Sequence, residues 1–179
     1  MTVTIIRHGR VNHIWIKSCN SSEFDEECRA YDEAPIEGIE NAKGPDADKV
    51  YVSELSRTHQ TAKMMFGDRE FTATELINEV PLRSAFDTKH RLPLWFWNTL
   101  GRLQWLFGSK RQPEPRFQTR ERAERFAEQL IETDEDCAVV THGFYMHTLI
   151  AVMKQKGLKA DKGSIHYKNG EWVVLKKGK

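Results

Sequence analysis

Val3-Thr4-Ile5-Ile6-Arg7-His8-Gly9 is a short apolar run, rich in β-branched residues, that stops abruptly on a cation, an imidazole and a glycine. The pattern predicts a buried strand with polar groups at its carboxyl end. Ala138-Val139-Val140 predicts another, and it too ends on a histidine, in Thr141-His142-Gly143. Val50-Tyr51-Val52 is a further strand, and Arg57 follows it closely. Three strand ends therefore carry Arg7 and His8, Arg57, and His142. In open α/β sheets, ligands bind beyond the carboxyl ends of the strands.

Helical patterns fill the intervals. Ser56 is placed to cap a helix running to about Phe66, with Gly67 as its stop signal. Ala123, Phe126, Ala127, Leu130 and Ile131 mark one apolar helix face, and Met146, Leu149, Ile150 and Met153 mark another. Phe71 to Ala73 reads as a short strand. Asn169-Gly170 lies between Ile165-His166-Tyr167 and Trp172-Val173-Val174-Leu175, which predicts a two-residue hairpin. Residues 20–48, acidic and containing Pro35, Gly38, Gly44 and Pro45, are expected to be mostly irregular. Strands alternate with helices over most of the chain, so the expected fold is α/β: a three-layer α/β/α sandwich around a largely parallel, mixed sheet.

The chain has 179 residues, 39% of them hydrophobic, with 27 Lys plus Arg against 26 Asp plus Glu. That length predicts a single domain, 1–179. A net charge of +1 argues against a nucleic-acid binder held by overall basicity. The balance hides opposed regions, however. Residues 21–48 carry ten acids against two bases, and residues 83–125 carry ten bases against four acids. No apolar run reaches the ~18–20 residues of a membrane span. The N-terminus lacks the pattern of a signal peptide. Cys19, Cys28 and Cys137 show no metal-ligand spacing. A reduced, cytoplasmic location is expected.

Two arginines and two histidines at strand ends suit a phosphate, because guanidinium groups grip its oxygens and a neutral imidazole can attack phosphorus. Here the sequence resembles the histidine phosphatase superfamily, in its phosphoglycerate-mutase-like branch. Ile5-Ile6-Arg7-His8-Gly9 is similar to the family's Arg-His-Gly signature. Val52-Ser53-Glu54-Leu55-Ser56-Arg57-Thr58-His59-Gln60-Thr61-Ala62 resembles its Ser-x-Leu-x-Arg-x-x-Gln-Thr-Ala block. Val139-Val140-Thr141-His142-Gly143 resembles its second histidine motif.

The resemblance implies a phosphoglycerate-mutase-like fold and a phosphomonoesterase that uses neither a metal nor another cofactor. It implies His8 as the nucleophile, with Arg7, Arg57 and His142 holding the phosphoryl group. Glu79, in Leu76-Ile77-Asn78-Glu79, matches the family's acid position and would be the proton donor, with Asp87 as the fallback. Asn12 and Gly143 are further candidates for phosphate contact. The chain departs from the family at Arg10-Val11-Asn12, where Glu-Thr and a later Asn are usual. It departs again at Pro81–Phe86, where specificity is set. A phosphoryl-transferring mutase and a non-catalytic phospho-ligand-binding protein are the rival readings.

The expected partner is a small phosphorylated substrate or a phosphopeptide. Residues 92–107, rich in Trp and Phe, form a helix that packs on the core, covers the pocket or makes a homodimer contact; a membrane-surface helix is the weaker alternative. Arg83, Lys89, His90, Arg91, Lys110 and Arg111 either recognise the remainder of an anionic substrate or form a solvated surface.

Overall fold

The computed structural model describes residues 1–39, 42–163 and 166–178. The opening run becomes β1 (Thr2–Arg7), and Val3, Ile5 and Ile6 in it are fully buried. The chain continues through β2 (Ser18–Cys19), α1 (Ser21–Glu33), β3 (Lys49–Val52), α2 (Ser56–Phe66), β4 (Thr72–Ala73) and a 3₁₀ turn (Glu75–Ile77). It then forms β5 (Leu92–Pro93), α3 (Leu94–Leu106), α4 (Arg116–Thr133), β6 (Cys137–Thr141), α5 (Tyr145–Gln155), β7 (Leu158–Ala160) and β8 (Trp172–Lys177).

The main sheet has the order β4-β3-β6-β1-β8-β7. Its first four strands are mutually parallel, and β8 runs antiparallel to both β1 and β7. The sheet is therefore largely parallel and mixed, as expected. Alternate residues point to opposite faces. Val3, Ile5, Tyr51 and Val139 pack with Phe126, Leu130, Met146 and Met153 of α4 and α5. Ile6, Val50, Val52, Ala138 and Val140 pack with Ala62 and Met65 of α2. Helices on both faces bury the central strands completely, and the layers are α/β/α.

A third cluster stands outside the sheet. Cys19, Phe24, Ala85 and Trp97 join α1 and α3 to a small ribbon in which β2 pairs antiparallel with β5. The Trp97 ring stacks on Phe24 at 5.7 Å, and its Nε1 donates to the Cys19 carbonyl at 3.0 Å. One face of α3 is thus buried through Trp97, Gly101 and Trp105. Trp95 on the helix is 67% exposed, and Phe107, just past its end, is 81% exposed. No helix among the described residues is long and apolar enough to cross a membrane.

Three local expectations are corrected. Residues 21–33 of the acidic stretch are helical, because Asn20 and Glu23 close a capping box at the helix start. The cap of α2 is Leu55, with Ser56 as the first helical residue and no side-chain cap; Gly67 ends the helix at φ 72°. Asn169-Gly170 does form a turn, closed by the Glu171 amide on the Lys168 carbonyl at 3.0 Å. Only Gly170 has positive φ, whereas a type I′ hairpin turn needs it at both central residues. The antiparallel partners of β8 are β1 and β7, and residues 166–167 lie outside any strand; Ile165 falls outside the described residues.

Candidate active site at the carboxyl ends of the central strands

The register Arg7↔Thr141 between β1 and β6 puts the two residues that follow them side by side. The His8 and His142 rings lie 5.1 Å apart, tilted by 58°. Both are buried, at 2% and 0% exposure. Arg57, on the first turn of α2, reaches the same place and is 1% exposed.

The tautomer of His8 follows from its neighbour. Nδ1 lies 2.7 Å from the Gly9 carbonyl oxygen, which can only accept. Nδ1 therefore carries the proton, and Nε2 keeps its lone pair. Burial lowers the His8 pKa to about 3, with help from Arg57 and then Arg7, against the opposing pull of the Gly9 carbonyl. The imidazole is neutral at pH 7.

His142 has the opposite tautomer. Arg57 Nε, which can only donate, lies 3.1 Å from His142 Nδ1, so that nitrogen is unprotonated. The proton sits on Nε2 and is donated to Ser53 Oγ at 2.8 Å. Complete burial first, and then Arg57, hold the His142 pKa well below the ordinary histidine value. Arg57 also donates from Nη1 to Asp32 at 2.9 Å, and its guanidinium stands 5.2 Å from the centre of the Tyr31 ring.

Arg7 turns back beneath this group. Its Nη1 donates to the Tyr167 carbonyl, while its buried Nε has no hydrogen-bond partner among the described residues. A Cβ at Gly143 would stand 2.7 Å from that Nε, so Gly143 leaves the room the guanidinium occupies. Glu79 completes the constellation. Its carboxylate accepts from the amides of Tyr145 at 3.0 Å, Phe144 at 3.4 Å and Val80 at 2.9 Å. These contacts fix it at the start of α5, immediately after His142-Gly143.

Arg57 and Glu79 also line a cavity of about 1320 Å³, together with Trp15, Tyr31, Asp32 and Arg102 among others. Such a volume leaves space for far more than a phosphate. Arg102 Cζ stands 3.8 Å from the centre of the Phe144 ring, and the side chain donates to the Val80 carbonyl at 3.1 Å.

The model of the histidine phosphatase superfamily (branch 1) matches residues 3–178. The chain belongs to this superfamily. Known structures share its fold. A crystal structure of an Escherichia coli K-12 protein, proposed to be an alpha-ribazole-5'-P phosphatase, superposes with a TM-score of 0.62 at 21% identity. That match covers 97% of this chain and 89% of the other. Mycobacterial glucosyl-3-phosphoglycerate phosphatase gives 0.61 at 14% identity, covering 97% and 88%. Phosphoserine phosphatase from Entamoeba histolytica, in complex with 3-phosphoglyceric acid, gives 0.51 at 19%, covering 97% and 89%. No curated protein matches the chain by sequence.

Within this histidine phosphatase fold, the candidate residues divide clearly. Arg7, His8, Arg57, His142, Gly143 and Glu79 are brought together. Asp87 is not: both its oxygens are held by Arg111, and its side chain is 80% exposed. Asn12 is exposed, and among the described residues its side chain makes no hydrogen bond; its backbone amide donates to Pro35. Of the six basic candidates, Arg83, Arg91 and Arg111 are paired with Asp25, Glu23 and Asp87.

The site also holds residues that sequence reasoning gave no role. Ser53 and Thr61 both lie within the block around Arg57. Thr61 Oγ1 accepts from the Gly9 amide at 2.8 Å and donates to the Arg57 carbonyl at 2.7 Å, tying two motifs together. Asp32 and Tyr31 come from the stretch expected to be irregular.

Proposed function

We propose that the chain is a phosphomonoester hydrolase working through a phosphohistidine on His8. The observation that carries this reading is the state of His8: neutral and protonated on Nδ1, close to Arg57 and to Arg7, whose Nε has no hydrogen-bond partner among the described residues. A neutral imidazole next to unspent cationic donors suits nucleophilic attack on a phosphate dianion. Superfamily membership and the phosphatases that share the fold support the same chemistry.

In the proposed cycle, Nε2 of His8 forms a bond to phosphorus as the ester P–O bond breaks. The leaving oxygen takes a proton from Glu79. Water then attacks the phosphohistidine, Glu79 takes its proton, the P–N bond breaks and phosphate departs. Arg7 and Arg57 supply positive charge to the phosphoryl oxygens throughout, with no metal in the cycle. His142 holds the Nε of Arg57 toward the site. The substrate is a small phosphorylated compound or a phosphopeptide, and the cavity lined by Arg57 takes its leaving group.

The test is labelling with a ³²P-labelled phosphomonoester, quenched in alkaline detergent so that the P–N bond survives. Wild-type protein is expected to trap acid-labile, base-stable label on His8, and His8→Ala is expected to trap none. Label that persists in the variant overturns the mechanism.

A further inference from the structure

Every backbone polar group from Arg7 to Gly9 has a partner, and most of these partners come from one turn. The Arg7 amide donates to the Glu171 carbonyl at 2.9 Å, and the Gly170 amide donates to the Arg7 carbonyl at 2.9 Å. The His8 amide donates to Thr141 at 2.9 Å, and the Gly9 amide to Thr61. That leaves the carbonyl of His8, which also accepts from the Gly170 amide at 3.3 Å, and that of Gly9. Asn169 Nδ2 donates to both, at 3.0 and 3.2 Å.

The Gly9 carbonyl thus has two donors: Nδ1 of His8 and Nδ2 of Asn169. It is the only protein group that holds the His8 imidazole by a hydrogen bond among the described residues. The tautomer of a histidine is set by the hydrogen bond its other nitrogen makes. Whatever fixes the Gly9 carbonyl therefore fixes the direction in which Nε2 presents its lone pair.

We propose that Asn169 is a positioning residue for the nucleophile: it clamps the Gly9 carbonyl, and the carbonyl holds His8 with Nε2 free. The proposal rests on the phosphohistidine reading only for its kinetic consequence, because the tautomer exists before any substrate binds. The Asn169-Gly170 pair thereby has a purpose beyond reversing the chain. Gly170, at φ 77°, gives the turn the conformation that brings the Asn169 amide and its own amide to the same short segment.

The geometry also requires a donor at this position. Asn169→Ala removes it. Asn169→Asp keeps the shape but sets an acceptor against two carbonyl oxygens when ionised, and restores one donor when protonated. Outer hydrogen bonds that orient metal-ligating histidines are worth about 10–100-fold, and a similar scale is expected for a clamp on a nucleophilic histidine.

The test combines ¹⁵N spectroscopy of the His8 ring with steady-state kinetics. In the wild type, His8 is expected as the pure Nδ1–H tautomer. In Asn169→Ala, an Nε2–H population is expected, with kcat lowered about 10–100-fold and KM within threefold. Asn169→Asp is expected to regain activity as pH falls through the range in which its carboxyl is protonated, a trend the wild type lacks. An unchanged His8 tautomer in Asn169→Ala, in protein whose circular dichroism matches the wild type, overturns the proposal. So does an Asn169→Asp pH profile parallel to the wild type. Absence of a phosphohistidine in the wild type would instead overturn the hydrolase mechanism and leave the ring spectrum to decide this one.

Discussion

Arg57 Nε donates to His142 Nδ1 at 3.1 Å, with both side chains buried. The contact is favourable because His142 is neutral and offers a lone pair. It leaves Nη1 for Asp32 and aims the rest of the guanidinium at the cavity. A lysine would keep the charge but lose this fixed fork. Arg57→Lys is expected to lower kcat/KM by about 10²–10³-fold, the usual cost of removing one preorganised donor. Steady-state assay with an aryl phosphate measures it. A loss below threefold would mean that charge alone suffices.

Glu79 is held in place by three backbone amides. Glu79→Gln is expected to slow hydrolysis of alkyl phosphates by about 10²–10⁴-fold. The first step with p-nitrophenyl phosphate, whose leaving group needs no proton, should slow far less. Affinity for inorganic phosphate should change little. Equal slowing of both substrates would remove Glu79 from proton transfer.

Stability should depend on pH in a definite direction. His8 has a folded pKa of about 3, and that of His142 is well below its ordinary value, whereas both sit near 6.5 in the unfolded chain. Between the two limits the unfolded chain binds protons that the folded one does not. Stability therefore rises with pH across that window, and the contribution is complete above about 6.5. On acidification it falls by up to about 1.4 kcal/mol per pH unit for each imidazole that stays neutral. Urea titrations from pH 8 to pH 4 should show the decline, and His8→Gln should reduce its slope. Because the nucleophile stays neutral, the rate should show no acid limb at 6.5 from His8.

The two sides of α3 should respond unequally to substitution. Trp97→Ala opens a cavity against Phe24 and strips the Cys19 carbonyl of its donor, at a cost of about 3–5 kcal/mol. Trp95→Ser, on the exposed face, should stay within about 0.5 kcal/mol. Urea midpoints distinguish the two; similar losses would show that Trp95 is covered in solution.

The central strands were legible because burial on both faces demands continuous apolar runs, and β1, β3 and β6 have them. The helix faces of α4 and α5 were legible for the same reason. α1 was not, since only Ser21 and Phe24 among its thirteen residues are buried and its acids resemble loop composition. Its signal was the capping pair Asn20 and Glu23, read past because Pro35, Gly38, Gly44 and Pro45 all follow the helix end. Arg7, His8, Arg57 and His142 could be grouped because each sits at or just after a strand end. Ser53 and Asn169 could not be given roles. Their partners lie 89 and 160 or more residues away in sequence, and only the sheet order brings them into contact. Asn12 shows the converse: the family's Asn after Arg-His-Gly made it a candidate, but it lies past the end of β1 with its side chain at the surface, whereas His8 is buried.

Asn169 lies 161 residues beyond His8. At roughly 5–20 residues per second, a ribosome makes the histidine about 8–32 s before the turn that grips it. For that interval the imidazole is wet, unanchored and free to exchange both tautomers. Under the proposed role of Asn169, a nascent chain carries its Arg-His-Gly motif long before the late turn can hold the histidine.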